Sequence, residues 1–218
     1  MKKELSITEE YALLVMEHFH SFGSEQSACL FASAFMELIL DGYLELDDKK
    51  RVVIEKELNS DEDYLSTIFN LVKDAKKPKT LKSWLSDLVL NGSNKPMKKM
   101  IEMILNNLIE KEMLMEVEKK GLFRTKKILT IKNDSADFVV QKLRATVLED
   151  ENFTDEAIIL IALLTQSKFI KKYFSKYEMS SVNERLKNLK ETEEYENIRM
   201  AVAVVDEFYT MIAVIAAT

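Results

Sequence analysis

The groups in this chain that could do chemistry are few, and their spacing is poor for catalysis. His18 and His20 stand two positions apart on one helical stretch, so their rings leave a helix on different sides. That arrangement cannot share a metal, and it leaves no base for a Ser or Cys nucleophile elsewhere. Adjacent carboxylates recur at Glu9-Glu10, Asp47-Asp48 and Glu193-Glu194, but these fall at helix starts and turns, where acidic residues are expected without any acid/base role. No glycine-rich phosphate loop or dinucleotide fingerprint is present. The expectation is a non-enzymatic protein with no catalytic residue, no metal and no cofactor.

A different chemistry is written between Lys95 and Lys132, where ten basic residues meet five acidic ones. The segment carries +5 in a chain of net charge −6, which leaves −11 on the remainder. Such asymmetry marks one anion-seeking face. Within it, Met113, Met115 and Val117 alternate with charge, Lys119-Lys120-Gly121 reads as a turn, and the strand returns through Ile128 to Ile131. Leu122 and Phe123 then sit at the tip beside Lys119, Lys120 and Arg124. An apolar pair ringed by bases suits contact with an anionic membrane surface, although both residues could instead fold back onto the core.

The elements that must position this hairpin follow from composition and period. The chain has 218 residues, 47% apolar and 31% charged, with only 4 Gly and 2 Pro. Long uninterrupted helices are implied, and the expected fold is mainly α: one helical-bundle domain over residues 1–218 with one or two small β-hairpins. Cys29 is the single cysteine, so neither a disulfide framework nor a cysteine metal site is expected, and a reducing, cytoplasmic setting follows. Met1 to Leu5 shows no signal segment. The longest uncharged runs, such as Phe208 to Thr218, span 11 residues, short of the roughly 20 needed to cross a bilayer. A soluble or peripheral protein is expected, with a homo-oligomer and a protein partner left open.

In chain order, Ser6 and Glu9 have capping-box spacing and open a helix through Phe19; a second, apolar almost all round, runs from about Glu25 to Leu40 and should be central. Gly42 stops it, and Tyr43 to Glu55 reads as a first hairpin around Asp47-Asp48-Lys49-Lys50. Helix, Leu-Ile-Leu-Asp-Gly-Tyr-Leu and hairpin here echo helix, Leu-Ile-Glu-Lys-Glu-Met-Leu and hairpin about 70 residues on, as two copies of one unit would. Ser60 is expected to cap a helix through Lys73, and Leu81, Trp84, Leu85 and Leu88 line a short one. Helices follow over Ser135–Leu148 and Thr154–Leu164, then one capped by Ser181 and Glu184, then an apolar one over Glu193–Ala217. Trp84 is expected in the core, and Met97, Met100 and Met103 are expected to fill gaps between helices.

Helix, strand and basic hairpin is also how a winged helix ends, which makes a nucleic-acid-binding regulator the alternative reading. Against it, the stretch from Met97 to Asn107 is mostly Met, Ile and Leu, with little polar surface for reading bases.

Four landmarks in order resemble the Golgi phosphoprotein 3 family of peripheral membrane proteins. The family's Leu-Thr-x-x-Glu-Glu-x-x-Leu-Leu is similar to Leu5 to Leu14, with Ser6 for Thr. Its Glu-Leu-x-Leu-x-Gly-x-Leu resembles Glu37 to Leu44, its Pro-x-Thr-x-x-x-Trp resembles Pro78 to Trp84, and its Asn-Leu-Val-Glu-Lys-Gly-Val-Leu resembles Asn107 to Leu114, with Glu112 for Gly. The resemblance implies a mainly helical fold, a hairpin tip dipping into the bilayer, phosphatidylinositol 4-phosphate recognition and, in Golgi members, capture of glycosyltransferase tails. It also implies headgroup positions at Phe22, Phe31, Lys98 and Ile101. Of these, Phe22 keeps an aromatic and Lys98 keeps a charge, with Lys99 beside it. A bacterial-type relative whose ligand is a simpler anionic lipid, or none, is the expectation.

Overall fold

The computed structural model of the chain describes residues 4–59, 63–90, 95–120, 125–132, 134–148, 154–167 and 169–191. It is mainly helical, with two small antiparallel sheets.

Helix α1 (Ile7–Phe19) begins where Ser6 Oγ accepts from Glu9 N and the Glu9 carboxylate accepts from Ser6 N, the capping box expected from the sequence. Ten consecutive residues, Ile7 to Met16, are buried. Helix α2 (Ser24–Leu40) crosses it, and Phe31 and Phe35, both without exposed surface, meet edge-to-face with ring centroids 4.9 Å apart. Truncating either ring would cost about 3–5 kcal/mol through lost burial and the cavity left behind. Around this pair pack α3 (Tyr64–Lys73), α4 (Leu81–Leu90), α5 (Lys95–Glu110), α6 (Ser135–Leu148) and α7 (Asp155–Gln166). Ala157 to Leu164 of α7 are all buried, so α7 shares the centre with α1 and α2. The short α8 (Ile170–Tyr173) and α9 (Lys176–Glu191) follow. Trp84 lies in the core, 6.3 Å from Phe35 between ring centroids.

Strands β1 (Leu44–Leu46) and β2 (Arg51–Ile54) form the first hairpin, whose turn is tied by Asp47: its carboxylate accepts from Lys49 N, Arg51 N and Arg51 Nε. The Arg51 side chain, seconded by its backbone N–H, lowers the Asp47 carboxyl to about 2. A third strand, β3 (Lys79–Thr80), pairs with β2 and was not expected. The second hairpin is β4 (Leu114–Lys120) with β5 (Thr125–Ile131).

The two helix-to-hairpin corners are built alike. At the end of α2, Tyr43 N donates to Leu38 O at 2.9 Å and Gly42 N to Ile39 O at 3.1 Å. At the end of α5, Met113 N donates to Leu108 O at 2.8 Å and Glu112 N to Ile109 O at 2.9 Å. Both are Schellman closures around a left-handed residue, Gly42 at φ 71° and Glu112 at φ 61°.

Three expectations need correction. Helix α3 starts at Tyr64 with Asp63 at its N-cap, and Ser60 lies outside the described residues. Helix α9 starts five positions before Ser181: Ser175 and Glu178 form its capping box, with Ser175 N donating to Glu178 Oε2 at 2.7 Å and Glu178 N to Ser175 Oγ at 3.3 Å. Lys119 and Lys120 belong to β4 rather than to the turn. The stretches 91–94 and 192–218, which include the Asn91-Gly92-Ser93 break and the C-terminal helix, lie outside the described residues.

Candidate functional site

The second hairpin grows from the core and leaves it. At its root, where β4 packs on α5 and β5 on α1, Leu114 is 2% exposed; one residue on, Met115 is 42% exposed. Seven residue pairs follow in register from Leu114 opposite Ile131 to Lys120 opposite Thr125. Because side chains alternate across a strand, one face takes Leu114, Glu116, Glu118, Lys127, Leu129 and Ile131, and there Lys127 Nζ bonds Glu116 Oε2 at 3.0 Å. The opposite face takes Met115, Val117, Lys119, Ile128 and Thr130. Its apolar half lies toward the root and Lys119 lies at the outer end, where the backbone register pairs it with Lys126. Like charges set opposite each other cost a two-stranded sheet stability, so this end is better matched to an anion than to itself. Gly121, Leu122, Phe123 and Arg124 lie outside the described residues, as do the side chains of Lys120, Thr125 and Lys126.

Phe22 is half-buried against the core after α1, whereas Lys98 and Lys99 are exposed near the start of α5. Among the described residues no hydrogen bond or ion pair joins them. Helix α5 turns Met97, Met100, Ile104 and Leu108 inward, and its exposed residues are Lys95, Lys98, Lys99, Glu102, Asn106 and Glu110. His18 stacks at a tilt on Tyr173, centroids 5.3 Å apart, and His20 ends α1 in a left-handed conformation.

A polar cluster that the sequence reading did not assemble lies at the start of α1. A cavity of about 340 Å³ opens between α1, α2, α3 and α5, lined by Ser6, Glu9, Glu37, Asp63, Tyr64, Asn107 and Lys111. The Tyr64 hydroxyl donates to Glu37 Oε1 at 2.6 Å and lies 2.6 Å from Ser6 Oγ. Glu37 Oε2 accepts from Thr8 Oγ1 at 2.7 Å and from Thr8 N at 3.3 Å. Lys111 Nζ donates to Glu9 Oε2 at 2.5 Å and to Glu4 O at 3.0 Å, tying the root of the second hairpin to the start of α1. Burial raises the Glu37 and Asp63 carboxyls above the usual carboxylate range, with nearby Glu9 adding to the shift at Asp63. Burial, together with Glu37, holds the Tyr64 phenol far above its ordinary value. One signal could have found this site: Glu37 is the only charge between Gln26 and Leu40, a stretch that is otherwise uncharged.

Among the described residues no group of His, Cys, Asp and Glu is placed to hold a metal, and no helix is long and apolar enough to cross a membrane. No curated protein matches the chain. The family model described as Golgi phosphoprotein 3 (GPP34) matches residues 7–207, nearly its whole length. With the capped first helix, the paired corners and the basic second hairpin in the order the motifs require, the chain belongs to the Golgi phosphoprotein 3 family.

Proposed function

We propose that this chain is a non-enzymatic peripheral membrane protein that docks on anionic phospholipid through the outer end of the β4–β5 hairpin. The observation that carries the reading is the register: it pairs Lys119 with Lys126 near the end of a hairpin that leaves the core, on either side of Leu122, Phe123 and Arg124 in the sequence. Burying Leu122 and Phe123 in the interface would contribute about 1.5–3 kcal/mol each. Each base near an anionic surface adds about 1 kcal/mol. Lost translational and rotational freedom offsets much of this, so binding is weak and salt-sensitive. Lys98, Lys99 and Phe22 are assigned to the headgroup, with a simple anionic lipid as the ligand and no phosphoinositide selectivity. In this reading the protein is cytoplasmic and peripheral on the inner face of a membrane. The test is co-sedimentation with anionic vesicles of the double variant Leu122→Asp with Phe123→Asp. Loss of binding supports the reading, and undiminished binding overturns it.

A further inference from the structure

A second basic surface lies at the other end of α1 from the hairpin root. Between Ala157 and Tyr177 the chain carries Lys168, Lys171, Lys172 and Lys176 and no acidic residue. Around α8, Phe169, Ile170 and Phe174 are buried, which leaves Lys171, Lys172 and Lys176 exposed on the solvent side. The C-terminal end of α1 holds this unit in place. Phe169 meets Phe19 edge-to-face with ring centroids 4.7 Å apart, and the Tyr173 hydroxyl lies 3.1 Å from Leu14 O and 3.0 Å from Glu17 Oε2. Glu17 is thereby engaged, and Glu178 is bonded by Arg144 and by Ser175 N. Among the described residues none of the three exposed ammonium groups has a hydrogen-bond or ion-pair partner. Two aromatic side chains stand in the open beside them, Phe19 at 46% exposure and Tyr177 at 87%.

We infer that Lys171, Lys172 and Lys176, with Phe19 and Tyr177 beside them, form a second docking surface for an anionic phospholipid bilayer. An anionic leaflet attracts each lysine that comes within a Debye length of it. A tyrosine ring with its polar tip suits the headgroup level, and the open edge of Phe19 suits the acyl boundary. The charges on this surface are all lysine, point charges without the fork that arginine offers to a single phosphate or a base edge, which fits a diffuse layer of headgroups better than a nucleic acid. Lys111 ties the hairpin root to the start of α1, so the 13 residues of that helix, about 20 Å, separate the root from this surface. Two separated contacts on one bilayer raise avidity and fix the tilt of the protein, which a single hairpin does not. The choice of a lipid partner rests on the peripheral membrane reading, but the surface shares no residue with the hairpin.

Partitioning of the full chain onto vesicles of phosphatidylcholine containing phosphatidylserine, at low salt, tests it in three variants. The first is Lys171→Gln with Lys172→Gln and Lys176→Gln. The second, Lys49→Gln with Lys76→Gln and Lys82→Gln, removes the same charge from exposed positions elsewhere. The third is Leu122→Asp with Phe123→Asp. The first should weaken partitioning by about tenfold or more, and the second by less than about twofold. All the substituted lysines are exposed, so both variants should fold, and circular dichroism checks this. Unchanged partitioning in the first variant, or equal losses in the first and second, overturns the inference. Loss in the hairpin variant with none in the first keeps hairpin docking and removes this surface, whereas the reverse keeps this surface and removes hairpin docking. A single-stranded oligonucleotide titrated in place of the vesicles decides the rival partner: binding tighter than to the vesicles, and lost in the first variant, would make this a nucleic-acid face and overturn the lipid assignment.

Discussion

Gly42 and Glu112, 70 positions apart, occupy the same left-handed corner of the same helix-to-hairpin closure, one with the residue the corner favours and one without. A β-carbon on Gly42 would meet nothing within 4 Å, so the cost of adding one is conformational rather than steric. Gly42→Ala should lower stability by about 1 kcal/mol. Glu112→Gly should raise it by about 0.5 kcal/mol, because relief of backbone strain exceeds the extra freedom glycine gives the unfolded chain. The lost Lys132 pair is exposed and counts for little. Urea midpoints measure both, and a stabilised Gly42→Ala would contradict the shared corner.

Glu9 is buried with Lys111 as its counter-ion, and Lys111 is only a quarter exposed. Removing the cation would leave a carboxylate without water or charge to answer it. Lys111→Met should cost about 2 kcal/mol, less than the loss expected for a fully buried pair. Adding Glu9→Gln should recover part of that cost, so the double variant should be more stable than the single one. Equal losses in the two would mean that the pair is not coupled.

The raised Glu37 carboxyl gives a pH signature of definite sign. Its folded form binds a proton more readily than the unfolded chain does, so the stability it contributes is full below the ordinary Glu value and is lost as pH rises through the raised one. Acidification from neutrality toward that ordinary value should therefore favour folding through this group. In Glu37→Gln the change in melting temperature over that window should be smaller in the stabilising direction. An identical pH dependence in both proteins would remove Glu37 as the source.

Local signals were legible where a few neighbouring residues decide the outcome. The Ser6/Glu9 box and the Gly42 stop are contained within four or five positions, and both form as read. The same kind of pattern misleads at Ser181/Glu184, because Ser175-Lys-Tyr-Glu178 offers an equal cap six residues earlier. The earlier start is held by Arg144, which bonds Glu178 at 2.8 Å across 34 positions and cannot be weighed from the local sequence. Strand β3 has only two residues, too few to show a period, and exists through pairing with β2. The polar cavity was missed for the same reason: Ser6, Glu37 and Tyr64 read singly as cap, helix residue and core aromatic, and only the fold makes one site of them.

The most direct measurement of the central claim is co-sedimentation of the unaltered chain with vesicles of phosphatidylcholine alone and of phosphatidylcholine containing phosphatidylserine, at low and at high salt. Docking through a basic hairpin end predicts binding to the anionic vesicles at low salt, a marked fall at high salt as charges are screened, and little binding to the neutral vesicles at either. No binding to the anionic vesicles at low salt, or equal binding to both kinds, would contradict it.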